Sequence, residues 1–253
     1  MAKSIFYIDA LLLNEKKSIN ELSNQLIGLL KELSEVDSVF NSFKYSEQGY
    51  PNTVFNLEQV GVKEELAKTI LDSNKADIKQ YEKEENPTLE FSRDFGFSHL
   101  FSFNIDKKKV FSATGNLATN NYPSFRLEYF DMDSQYPISW YADVLKCLVK
   151  NLSPIQAGIM IKLPAFVEQW NGLKIKQPFG WLTYFSNDNE IQIPDDLEGV
   201  EYEHTDKGKY IILTREDFTV SKEAYEVQRD KLLAIMQEVK ERVPAYSLEN
   251  SPS

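Results

Sequence analysis

The sequence predicts an α+β fold, an antiparallel sheet or sheets with helices packed on one face. Three observations carry the prediction. Short alternating runs are separated by polar turns, three long stretches repeat their apolar residues at helical spacing, and the two kinds of segment come in blocks and not in strict alternation. The 253 residues are read as a single α+β domain, residues 1–253, with 1–133 and 134–246 as its candidate halves. Aromatic residues make up 13%, which fits packed, strand-rich structure and not disorder.

The first half reads as strands around two helices. Ile5 to Leu12 is an apolar opening strand. Ser18 to Glu35 is a helix opened by a capping box, Ser18 with Glu21, and striped by Leu22, Leu26, Leu29 and Leu33. Val39 to Tyr45 alternates like a strand, and Leu57 to Leu71 is a weaker helix. Asp72 to Asn86 is the most polar stretch and reads as a helix end and solvated loop, closed by Pro87. Ser98 to Ile105 places His99, Phe101, Phe103 and Ile105 on one face; Asp106 to Lys109 turns the chain into Val110 to Thr114. Thr114 to Pro123 is a second soft spot, and Phe125 to Phe130 alternates again. The pattern is that of an antiparallel meander with one wet face.

The second half opens with Pro137 at a helix start, followed by the stripe Tyr141, Leu145, Leu148 and Leu152. Ile155 to Ile161 is a strand, Pro164 to Trp170 a short helix, and Trp181 to Phe185 a central strand with large residues on both faces. Gly180 stands where backbone can approach closely. Val200 to His204 and Tyr210 to Thr214 form a hairpin across Thr205 to Gly208. Ser221 to Arg242 is the closing helix, with Leu232, Met236, Val239 and Val243 at helical spacing and Pro244 as its stop. The tail beyond Pro244 is expected to fray.

Charge narrows the function. With 28 basic and 39 acidic residues the net charge is −11, which disfavours direct binding of nucleic acid or of an anionic membrane. The single cysteine, Cys147, forms no intrachain disulfide and is read as a buried, inert thiol. No apolar run reaches the roughly 20 residues of a membrane helix, and the opening segment lacks a cleavage pattern. A cytoplasmic protein is expected.

Catalytic patterns are sparse. His99 and His204 are the two histidines, and both lie in strands, where a packing role is the simpler reading. No zinc spacing, phosphate loop, dinucleotide fingerprint or nucleophile elbow is present, so no catalytic residue, metal or cofactor is expected. An alternative is a metal-dependent transferase or hydrolase using Asp131, Asp133 and His204. Against it, acids two apart are common, and Ser134 and Pro137 point to turn and helix-start chemistry.

One stretch stands out electrostatically. From Asp188 to Glu203 there are seven acids (Asp188, Glu190, Asp195, Asp196, Glu198, Glu201 and Glu203) and no lysine or arginine. These charges must be solvated, neutralised by a cation, or turned toward a basic partner. With Tyr202 among them, they form a candidate surface for a cationic protein.

The order of parts from about Pro164 to Pro244 resembles polymorphic-toxin immunity proteins, particularly the immunity protein 52 type. The parts are Pro164-Ala-Phe, then Gly180-Trp-Leu-Thr-Tyr-Phe, the acidic linker, Leu197-Glu-Gly-Val-Glu, Gly208-Lys-Tyr-Ile-Ile-Leu-Thr214 and a terminal amphipathic helix. This covers about a third of the chain. Neighbouring immunity families guard against type VI secreted effectors. The resemblance implies a cytoplasmic bacterial antitoxin that binds a cognate basic toxin, often a nuclease, and occludes its active site. It brings no catalytic residues; Gly180, Trp181 and Tyr184 are its motif positions, read as structural. A structural or adaptor component of a secretion or phage-like assembly is the other binding-type alternative. The oligomeric state is left open.

Overall fold

The structure is a computed structural model and describes residues 6–13, 17–45, 53–73, 90–91, 97–105, 108–117, 124–129, 136–161, 172–174, 179–216 and 221–247. Several expectations lie outside these residues: most of the polar stretch through Asn86, the Asp106-Lys107 turn, Asp131 and Asp133, the helix over Pro164–Trp170, and the tail beyond Ser247. The fold is α+β. The chain divides into two compact units, one of residues 11–131 with 146–153, the other of residues 1–10, 132–145 and 154–253. The division near residue 131 falls close to the boundary between the candidate halves, but each unit also takes a short segment from the other side of it.

In the first unit, β3 (Ser42–Tyr45), β4 (Thr53–Asn56), β6 (Phe97–Ile105), β7 (Lys108–Leu117) and β8 (Ser124–Tyr129) run in the order β8-β7-β6-β3-β4. The registers of β3/β4, β3/β6, β6/β7 and β7/β8 are all antiparallel, as the meander predicts. A separate two-residue pairing joins β2 (Lys17–Ser18) to β5 (Glu90–Phe91). The helix α1 (Ile19–Val36) forms where the leucine stripe predicts, and Leu22, Leu26, Leu29 and Leu33 are all buried. Burying such a stripe, not intrinsic propensity, stabilises a helix of this length. Its Glu32 accepts an ion pair from Lys150 at 2.8 Å, which holds the carboxyl below its ordinary pKa.

Two expectations change here. Val39 to Asn41 belongs to a 3-10 turn, Ser38–Asn41, and not to a strand, because the Asp37 side chain accepts from the Val39 N–H and tightens the chain before β3 starts. The helix predicted from Leu57 begins later, as α2 (Val62–Ser73). Residues 57–61 form turns instead, and β4 precedes them, its Phe55 stacked on Phe43 of β3 with ring centroids 5.1 Å apart.

In the second unit, β1 (Phe6–Leu11), β9 (Gln156–Ile161), β10 (Leu182–Ser186), β11 (Glu201–Thr205) and β12 (Gly208–Ile212) take the order β11-β12-β10-β9-β1. The registers β9/β10, β10/β12 and β11/β12 are antiparallel. Helix α3 (Ile138–Leu152), of which residues 146–152 belong to the first unit, follows Pro137, whose carbonyl accepts from the Trp140 N–H at 2.9 Å; Tyr141, Leu145, Leu148 and Leu152 are buried. Cys147, expected to be buried, is only half-buried. Helix α4 (Lys222–Arg242) starts at Ser221, whose hydroxyl accepts from the Ala224 N–H, and ends before the 3-10 turn Pro244–Tyr246. Leu232, Ile235, Met236 and Val239 form its buried stripe, while Val243 is half-buried. No described helix is long and apolar enough to cross a membrane.

Candidate functional site

The acidic stretch occupies the loop 187–200 and the strand β11. Its foundation is β10. Gly180 precedes that strand, and a Cβ there would stand 2.2 Å from the Ile159 carbonyl oxygen, so only glycine allows the approach. The same close packing lets the Trp181 N–H donate to Ile159 O at 2.9 Å. Trp181 Nε1 donates to Thr214 O at 2.7 Å, and the Tyr184 hydroxyl donates to Lys207 O at 3.0 Å. All three motif residues are buried and bonded within the fold. Tyr184 is pushed above its ordinary pKa by that burial.

The hairpin beyond is tighter than the sequence predicts. Thr205 pairs with Gly208, leaving Asp206 and Lys207 as a two-residue turn. The Thr205 hydroxyl bonds Gly208 at both its N–H and its carbonyl, and the Asn187 N–H donates to Lys207 O at 2.9 Å. A Cβ on Gly208 would lie 2.2 Å from Phe185 O, which is why glycine closes this turn.

The loop 187–200 is internally bonded along its length. Asn189 is buried; its amide donates to Ile155 O at 3.1 Å and its carbonyl oxygen accepts from the Ile191 N–H at 2.8 Å. Ile191, Ile193 and Leu197 anchor the loop in the core, and Gly199 takes a positive φ of 75° before β11. Tyr202 closes the structure from the strand side. Its hydroxyl donates to Pro194 O and accepts from the Leu197 N–H, each at 3.0 Å. Desolvation raises its pKa. The tyrosine hydroxyl therefore holds the loop from within the fold.

The seven acids divide into two groups. Four have cations from elsewhere in the chain, each more than ten residues away. Arg215 clamps Glu201 through Nε and Glu203 through a terminal nitrogen, both at 2.7 Å. Lys209 pairs with Asp195 and also donates to Ile193 O, and its ammonium lies 5.8 Å from the Tyr202 ring centroid. Arg242 pairs with Asp196 and, at 2.7 Å, with Glu238. The Lys209 hydrogen bond holds Asp195 below the usual carboxylate range. Of the three fates open to these charges, neutralisation by a cation is therefore the one taken by these four. Asp188, Glu190 and Glu198 are exposed and make no ion pair among the described residues. They are the charge this surface offers outward.

His204 lies on β11 beside Tyr202, the two rings 6.2 Å apart and 22° from parallel, and it is exposed. Among the described residues no group of three or more histidine, cysteine or carboxylate side chains is placed to hold a metal. The residues that organise the loop, namely Asn189, Lys209, Arg215 and Arg242, were not legible as a group. Their partners lie 12 to 46 residues away for the ion pairs, and no local pattern reports such pairings.

No family model and no curated protein matches the sequence. Among solved structures, the Pseudomonas aeruginosa T6SS protein PA0821 matches with a TM-score of 0.49 and 8% identity, covering 92% of this chain and 76% of that one. A likeness that slight carries no functional argument.

Proposed function

We propose that this chain is an immunity-type protein that binds a cationic toxin in the bacterial cytoplasm and neutralises it by occlusion, without transforming a substrate. The observation that carries this reading is the pinned loop 187–200 with its three outward acids. A loop fixed by Tyr202, Asn189 and Lys209 presents Asp188, Glu190 and Glu198 in one arrangement, so little ordering entropy is lost on binding. The net charge of −11 adds long-range steering toward a basic protein. The nuclease class of the toxin rests on the resemblance of residues 164–244 alone, and no catalytic residue is assigned.

The test is association with any toxin-like domain that an adjacent gene encodes, measured at low and at high salt; the lack of such a gene would overturn the reading. Asp188→Asn, Glu190→Gln and Glu198→Gln together should slow association on the order of tenfold at low salt and much less at high salt. Unchanged association would remove the loop from the interface. Multi-copy assembly in place of a stoichiometric complex would favour the adaptor alternative.

A further inference from the structure

The strand β11 ends its sheet order, and no described strand pairs with its outer edge. A two-residue hairpin makes Thr205 and Gly208 a hydrogen-bonded pair, so Glu203 and Glu201 also bond to β12 while Tyr202 and His204 turn their backbone N–H and C=O groups outward. Among the described residues those outward groups have no backbone partner. Glu201, His204 and Thr205 are exposed. Open edges of this kind are templates for another strand.

We infer that β11 takes an extended, lysine- or arginine-bearing segment of the partner protein as an added strand. This rests on the cationic partner proposed above and specifies how it docks. Two features favour such an occupant. Glu201 and Glu203 are two residues apart and share one face, about 7 Å apart along the strand; alternate basic side chains of an added strand would fall beside them. Arg215, itself exposed, pairs with both glutamates at 2.7 Å, so basic side chains of an added strand would have to share or take over its two carboxylates. A second copy of β11 would instead bring glutamates against glutamates, which disfavours self-pairing. The edge is also held on one face, because the Tyr202 hydroxyl is bonded to the loop.

Proline provides the test, since it removes an outward N–H without touching the β12 ladder. The probe is an octapeptide of alternating lysine and valine, added to the full chain at low salt. His204→Pro should weaken its binding at least tenfold relative to His204→Ala, which keeps the N–H and loses only the ring. In the unsubstituted chain, the Tyr202 and His204 amides should gain hydrogen-exchange protection when the peptide is added, a readout that survives if the proline variant fails to fold. Equal binding by the two variants, absent protection, no binding at all, or a concentration-dependent homodimer abolished by the proline would each overturn the inference. The adjacent-gene toxin separates this idea from the functional reading. Loss of toxin binding in the triple loop variant with full binding in His204→Pro would leave the function standing and remove the strand addition.

Discussion

Each unit ends its described strand order in a short hairpin strand, and the two are stabilised in opposite ways. The strand β4 is four residues long and contains no charged residue. Its buried Phe55 stacks on Phe43, and Val54 faces outward at 66% exposure. The strand β11 carries two glutamates and a histidine, has no fully buried residue, and is held by hydrogen bonds and ion pairs from the loop before it and the residues after it. An apolar strand end is secured by area removed from water, which is non-directional. A polar one is secured by a set of individual bonds, each of which must be made. The first kind tolerates changes of pH and salt; the second exposes its charges to whatever approaches.

The largest effect should come from emptying the apolar end. Phe55→Ala removes a fully buried, stacked ring and should cost about 3–5 kcal/mol in denaturant unfolding; a loss below about 1 kcal/mol would mean that β4 contributes little to its unit. Next is the platform beneath the polar end. Gly180→Ala drives a Cβ to 2.2 Å from Ile159 O and should cost about 2–3 kcal/mol, because backbone and not a flexible side chain must move. A crystal structure of that variant with β9 and β10 unshifted would contradict the account. Smaller still is Tyr202→Phe, which strands Pro194 O and Leu197 N–H and should cost about 1–2 kcal/mol. Exchange should rise in the loop 187–200 and not in β3 or β4.

The smallest effect is a pH response. The Asp195 carboxyl is held low by Lys209, so its contribution is present above the unfolded carboxylate value, about pH 4, and fades as pH falls through the lower folded value. Amide exchange followed from about pH 5 downward should show residues 193–197 loosening before β3 and β4, which contain no carboxylate. Simultaneous loosening would erase the contrast between the two ends.

Much of the architecture was legible because periodicity is local. The leucines of α1 and the stripe of α3 repeat at helical spacing, and both are buried where that spacing places them. Gly180 was legible for a similar reason, as a glycine opening a strand with large residues on both faces. The strand β4 was not, because four residues carry too little alternation to stand out and its partner β3 is needed to define it. The 3-10 turn at Ser38 was missed because a single Asp37 side chain outweighs an alternating pattern.

The acidic stretch shows the same boundary in charges. The residues alone established how many carboxylates lie between Asp188 and Glu203, that no lysine or arginine lies among them, and that the whole chain is negative. Only the folded chain decided which of them remain available, by bringing Lys209, Arg215 and Arg242 onto four and leaving Asp188, Glu190 and Glu198 to solvent. Coulomb attraction depends on separation in space, and separation in space between residues a dozen or more apart in sequence is created by folding.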